Sequence, residues 1–203
     1  WCCLVGSEMC IRDRMNIDHA NSHSSFQDKV SMSNLCQEIT LPTVPLQHID
    51  GDGEIALCIL SAINVGTLKD LDELEELCEV AVRALDEIID YQNYPVTAAE
   101  ISTKARRSLG IGYIGLAHYL AKNQVKYGDK GAIKVVHELT EAFQYYLIKA
   151  SVELAKEKGK CEYFDRTKYA KGELPIDHYK KDLDEVCSVK MKKNWDKLRK
   201  EIC

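Results

Sequence analysis

The sequence predicts an α/β chain that is mostly helical and forms a slice of a larger α/β body. Two stretches, NLCQEITL (34–41) and EIALCILSAINVG (54–66), have the β-branched, apolar character of strands. From Asp70 onward the apolar residues instead recur at i, i+3 and i+4, the period of helices packed through one face. Two strands with five or so helices do not close a sheet by themselves, so the chain reads as part of something bigger.

The elements follow in order. Residues 15–32 are polar, with Asn, Ser and His and little periodicity, and read as loop. The first strand is left through LPTVPL, whose two prolines cannot continue a ladder, and IDGDGE is a turn by its Asp and Gly content. The second strand follows. The next segment is a helix with the stripe Leu71, Leu74, Leu77, Ala81, Leu85 and Ile88. Asp70 with Glu73 resembles a capping box, and Pro95 lies just past the end. A second helix covers about 97–107. RSLGIGYIG interrupts with three glycines, and a short helix runs on to about Asn123. The clearest helix is 132–158, with the stripe Ile133, Val136, Leu139, Phe143, Leu147, Ala150 and Leu154 and with Gly159 as its stop. Short helices are expected at about 178–187 and 191–202.

Composition narrows the function. The 203 residues are 45% hydrophobic and 29% charged, which is globular. The net charge of −5 gives no overall basic field for nucleic acid. Residues 151–203 hold 14 Lys/Arg against 11 Asp/Glu, a surplus of +3, and the remainder carries −8. Lys192, Lys193, Lys197, Arg199 and Lys200 cluster there, but interleaved acids make them a solvated face. No run of about 18 apolar residues suits a membrane span. The nine cysteines are odd in number and contain no CxxC pair, which argues against a zinc ribbon or a secreted disulfide framework and for a reducing cytoplasm.

The first residues stand apart. WCCLVGSEMCIRDR has no amphipathic period and joins abruptly to MNIDHAN, and VGSEMCIRDR resembles translated sequencing-adapter read-through. Residues 1–14 are therefore expected to be a non-native leader, with 15–203 as the native part. LRKEIC ends on an apparent helix without a cap, so both ends are expected to be cut.

The chemistry concentrates in SNLCQEI. Asn34, Cys36 and Glu38 alternate with Leu35 and Gln37, so in an extended strand they point to one side, about 6.6 Å apart at Cα. A buried Cys between solvent-facing neighbours is the plain structural alternative. A thiolate nucleophile fits poorly: a nearby carboxylate raises a thiol pKa, and no His or Lys stands beside Cys36. A neutral thiol next to a base suits hydrogen-atom transfer, with the carboxylate taking a proton from a substrate hydroxyl. Cys58 is a second thiol in an apolar strand. Core packing would explain it alone, while a redox role needs a partner cysteine with Cα within about 7 Å.

These residues carry a family resemblance. SNLCQEI, EIALCILSAINVG, LDELEELCEVAVRALDEIIDYQNYPVTAAE, RRSLGIGYIGLAHYLAK, AFQYYLIKASVELAKEKG and GELPIDHYKKDLD look like the large subunit of class I ribonucleotide reductase, in order and from about Met15 to the end. The Leu in NLC favours class I over the adenosylcobalamin-dependent class. The resemblance implies a partial ten-stranded α/β barrel with the active cysteine on a loop inside it. It implies that Cys36 becomes the thiyl radical abstracting the ribose 3′-hydrogen and that Glu38 accepts the 3′-hydroxyl proton. Asn34 would orient the ribose hydroxyls, and the backbone from Asn34 through Leu35, Cys36 and Gln37 to Glu38 would lie along the substrate. Cys58 would be one of two thiols oxidised to a disulfide, its partner lying outside this chain. The implied partners are a radical-generating small subunit that holds the metal, a second large subunit, thioredoxin or glutaredoxin as reductant, and a ribonucleoside diphosphate. ATP and dNTP effectors would bind elsewhere. No cofactor, metal, nucleic acid or membrane is implied for this piece, which is expected to be inactive alone.

Weaker candidates remain beside these. Asp18, His19 and His23 have a spacing that could suit zinc on a helix but sit in a loop-like stretch. His118 and His137 read as structural. Gly110, Gly112 and Gly115 have dinucleotide-fingerprint spacing without a strand recognised before them, and close packing near a barrel strand is the better reading. Tyr145 and Tyr146 read as core and rim. Two rival functions stay open from the residues alone: a helical interaction module with inert cysteines, and a thiol redox protein pairing Cys36 with Cys58.

Overall fold

The computed structural model describes residues 28–31, 41–48, 51–57, 59–178 and 189–202. Two strands, β1 (Ile59–Asn64) and β2 (Leu109–Ile114), pair in parallel with Ile59 opposite Leu109 and Asn64 opposite Ile114. Parallel neighbours need a crossover of a dozen or more residues, and here it holds helices α1 (Glu73–Tyr91) and α2 (Thr97–Arg106). After β2 come α3 (Leu116–Lys122), the long α4 (Lys130–Lys158), 3₁₀ turns between Phe164 and His178, and α5 (Trp195–Ile202).

The start of α1 shows how local chemistry sets a boundary. The Asp70 carboxylate accepts from the backbone N–H of Asp72 and Glu73, at 2.9 and 3.2 Å, and Glu73 in turn accepts from Lys69 N–H at 3.1 Å. The predicted reciprocal box is present, with its return bond one residue earlier than expected. At the other end of the crossover, Arg107 adopts a left-handed conformation (φ +47°) to end α2. That conformation costs a non-glycine residue of order 1–3 kcal/mol. It is held because the Arg107 guanidinium reaches back to α1, bonding Asp86 at 2.6 Å and Asp90 at 2.9 and 2.8 Å.

One face of the strand pair is packed and the other is bare. Ile59 and Ile63 are buried, and with Leu109, Ile111 and Tyr113 they meet α1 and α4. Leu74, Cys78, Leu139, Phe143 and Tyr146 close this layer, and Tyr113 meets Phe143 edge-on at 5.4 Å. Each fully buried leucine here contributes about 1.5–3 kcal/mol by leaving water. A second cluster, Leu174, Trp195, Leu198 and Ile202 against Val152, seats α5 on α4. Its polar anchor is Glu141, which accepts from Lys192 N–H, Lys193 N–H and the Trp195 indole at 2.8, 2.9 and 3.2 Å.

Several expectations are corrected. β1 is shorter than 54–66, because Glu54 forms only an isolated antiparallel bridge with Val44 and residues 55–57 are in no strand. RSLGIGYIG is no mere interruption: it contains β2. The buried face of α1 is Leu74, Cys78, Val82, Leu85 and Ile89, so Leu77 and Ile88 of the predicted stripe lie exposed. That helix carries apolar residues on two adjacent lines, and the sheet takes the one containing Cys78. In the basic cluster near the end Lys192, Lys197 and Lys200 are exposed, but Arg199 forks onto Asp177 at 2.6 and 2.7 Å and Lys193 donates to the Tyr146 hydroxyl at 2.7 Å, so these two are held and not solvated. Helix α5 begins at Trp195, not 191, and the helix expected at 178–187 falls almost wholly outside the described residues.

Candidate functional site

The predicted chemistry sits on the chain leading into β1, and the structure describes how the flanks of that chain are held. Val44 and Glu54 exchange backbone hydrogen bonds at 3.1 and 3.0 Å, and Ile55 N–H donates to the Ala98 carbonyl at 3.2 Å. Of the expected IDGDGE turn, residues 51–54 are described. Asp52 accepts from Gln47 and His48 N–H at 2.9 and 2.8 Å, and Gly53 takes φ +85°, where a Cβ would lie 2.7 Å from Leu46.

A buried charge cluster ties these flanks to the end of α2. Arg106 donates through Nε to Glu54 and through Nη1 to Asp28, both at 2.8 Å. The three side chains are 9%, 8% and 7% exposed. Arg166 adds a second cation on Asp28. The Tyr163 ring stacks on both guanidiniums, 4.9 Å from Arg106 and 4.3 Å from Arg166. Burial alone would lower the Arg106 pKa, but its hydrogen bonds to Asp28 and Glu54 outweigh this and leave it raised. Two cations face two anions, the condition under which so buried a group can stay charged.

Beyond this clamp lies the bare face of the sheet. Leu60, Ala62 and Asn64 of β1 alternate outward beside Gly112 and Ile114 of β2, and Leu60 and Ile114 are 54% and 56% exposed. A Cβ on Gly112 would meet nothing within 4 Å, so the surface there is low and open. At the C-terminal end the strands approach too closely for side chains. Gly115 (φ +79°) would place a Cβ 2.4 Å from the Asn64 side-chain oxygen, which accepts from Gly66 N–H at 3.1 Å. Lys122 seals this end by donating to the carbonyls of Leu68 and Gly66 at 2.6 and 3.3 Å. On the packed side a cleft of about 1140 Å³ runs from Leu57 and Arg106 along the helical layer, past Asp86, Leu147 and Ser151.

Asn34, Leu35, Cys36, Gln37, Glu38 and Cys58 lie outside the described residues, as do Asp18, His19, His23 and residues 1–14, the expected leader. The glycines of GIGYIG lie within β2 and at its exit, not in a loop after a strand, so the dinucleotide geometry is absent here. Tyr146 is buried; Tyr145 meets Tyr146 and Trp195 edge-on at 5.7 and 5.3 Å. His118 flanks the Gly66–Gly115 approach. Cys78 is packed in the core, where burial pushes its thiol up to about 12, and burial also raises Cys161. Among the described residues no group of three His, Cys, Asp or Glu could hold a metal, and no helix is long and apolar enough to cross a membrane. Sequence reasoning missed Arg106. Its carboxylates are 78 and 52 positions away, and the only local signal is an Arg pair at a helix end.

Comparison with known proteins agrees with this architecture. Residues 9–203 match the family model described as ribonucleotide reductase, barrel domain. The alpha subunit of ribonucleoside-diphosphate reductase from Haemophilus influenzae is 59% identical over 92% of this chain, which spans 25% of that protein. The corresponding Buchnera aphidicola subunit, from the Schizaphis graminum symbiont, is 54% identical over 98% of the chain and 27% of its own length. The alpha subunit of ribonucleoside-diphosphate reductase 1 from Escherichia coli is 53% identical over 92% of the chain and 25% of its own length. The chain thus spans about a quarter of the length of these relatives. With its parallel strand pair backed by helices on one face and open on the other, the chain belongs to the ribonucleotide reductase family and carries part of its barrel domain.

Proposed function

We propose that the full-length protein reduces ribonucleoside diphosphates to 2′-deoxyribonucleotides, and that Asn34, Cys36, Glu38 and Cys58 carry that chemistry. The observation that carries the reading is the match to reductase alpha subunits over nearly the whole chain, at 53–59% identity. The bare face supports it. Leu60, Ala62 and Asn64 of β1 line that face and leave it open.

The steps balance as follows. A Cys36 thiyl takes the 3′-hydrogen: an S–H bond forms and the C3′–H bond breaks. Glu38 takes the 3′-hydroxyl proton while Asn34 holds the hydroxyls in place. The C2′–O bond breaks and the oxygen leaves as water with one thiol proton. Cys58 and its partner cysteine are oxidised to a disulfide, supplying two electrons and, with the second thiol proton, the hydrogen of the new C2′–H bond. Glu38 returns its proton to the 3′-oxygen, and Cys36 returns its hydrogen atom to C3′ and is again a thiyl. The radical comes from the small subunit, and thioredoxin or glutaredoxin restores the dithiol. Enclosure protects the radical from water. The described part of the barrel is open, so enclosure needs the remainder of the longer protein and the 203-residue chain alone is inactive.

Cys36→Ser in the full-length large subunit, assayed with its small subunit, is the test. Turnover falls by at least about 10³-fold, the scale of removing a group that reacts directly, while nucleotide binding persists. Retained turnover refutes the assignment.

A further inference from the structure

We propose that one flank of α1, formed by Leu77, Ala81, Ala84, Ile88 and Tyr91, is a docking seam for a further helix of the same longer polypeptide, one that brings an apolar stripe flanked by lysines. The inference rests on the shape and charge of α1 and not on the chemistry proposed above.

The five residues follow one another by four, three, four and three positions. That alternation is the heptad spacing by which one helix packs lengthwise on another. α1 uses a different line, Leu74, Cys78, Val82, Leu85 and Ile89, to reach the sheet and α4. The seam is left over: Leu77, Ala84 and Ile88 are exposed, and Tyr91 is 92% exposed. An apolar line of about four turns exceeds the scattered exposure common on protein surfaces. Ala81 and Ala84 at its centre are small enough to let a neighbouring helix axis come within about 8–10 Å.

The place of the seam selects its occupant. On its other flank α1 runs parallel to α4: Glu75 pairs with Lys149, Arg83 with Glu157 at 2.6 Å, and Asp86 with Lys158 at 3.0 Å. There Val82 meets Ala150 and Leu154 of α4 beside Leu109 and Ile111 of β2. The seam thus faces away from α4, toward the outer edge of β1, which pairs with no strand but β2 among the described residues. Helices covering one face of a parallel sheet lie side by side, so the next place in that layer is open. The chain spans about a quarter of its relatives' length, and the remainder of such a protein has sequence to fill that place. By helical phase Glu73, Glu76 and Glu87 border the seam on its solvent side. Arg83, the cation nearest to them on α1, is held by Glu79 and Glu157. An acidic rim favours lysine on the arriving helix. It also disfavours a second copy of α1, which in a two-fold pairing sets that rim against itself.

The experiment uses the wild-type full-length protein without its small subunit, mixed with isotope-labelled copies and allowed to exchange. Carbene footprinting reads each side chain, normalised to the urea-unfolded protein. A carbodiimide, in a separate sample, joins carboxylates to the lysines they touch, and mass spectrometry identifies the linked peptides. Labelling of Leu77, Ile88 and Tyr91 is expected to fall about tenfold below that of Glu79 on the opposite side of α1, as for the dry core of an interface. Glu73, Glu76 or Glu87 is expected to link to a lysine of the same copy that lies outside this 203-residue stretch. Labelling of Ile88 and Tyr91 within about twofold of Glu79 overturns the inference, because a covered seam excludes the reagent. Links that run only between labelled and unlabelled copies overturn it in favour of a second copy, and protection without any such lysine link overturns the basic partner.

Discussion

At the scale of single residues, the charges of this chain separate into those that anchor and those that decorate. Arg107 illustrates the first kind. Its hydrogen bonds to Asp90 hold that carboxyl below the usual carboxylate range, and its bonds to Asp90 and Asp86 raise its own pKa. A depressed carboxyl contributes stability above its unfolded value, about pH 3.9, and loses it as pH falls through the lower folded value. Asp90 is half exposed, so the contribution is under about 1 kcal/mol after screening. Asp90→Asn is expected to weaken amide-exchange protection in the last turns of α1 near pH 7, with the gap to wild type closing as the solution is acidified towards pH 3; a gap that is constant with pH contradicts the pairing. Cys78 is of neither kind. Its thiol, pushed up to about 12 by burial, stays protonated and inert in the core.

At the scale of elements, glycine placement separates a packing constraint from an open surface. Gly115→Ala puts a Cβ onto the Asn64 oxygen in a left-handed conformation and should cost about 1–3 kcal/mol. Gly112→Ala meets open space and should change stability by less than about 1 kcal/mol. Denaturant midpoints of the two variants check this; equal effects contradict the assigned geometry of β2. The same segment shows what was legible in the sequence. Helix α4 was readable to within two residues because its stripe, charged last turn and Gly159 agree. β2 was not, because glycines at 110 and 112 remove the β-branched signal that marks a strand, leaving the partner strand to specify it. The face of α1 was misread by one position, since Leu77 and Ile88 are as apolar as Cys78 and Ile89 and only the sheet chooses between the lines. The Arg106 clamp joins positions 28, 54, 106 and 166, and no local period announces a contact of that range. The triplet Asn34–Cys36–Glu38 stands out in the sequence because three functional groups alternate along it, and it lies outside the described residues.

At the scale of the whole molecule, the chain is part of a barrel whose packed helical layer is present and whose inner face lies open. The Arg106 cluster joins Asp28 and Glu54 to the end of α2, and the parallel pair begins five residues after Glu54. The central claim is that the sulfur at position 36 moves a hydrogen atom at C3′. The most direct measurement is competition between ordinary and 3′-deuterated ribonucleoside diphosphate in the full-length protein with its small subunit. The account predicts discrimination against the deuterated substrate in kcat/KM, with no product from either in Cys36→Ser. Product formed by that variant at the wild-type rate, without discrimination, would contradict it.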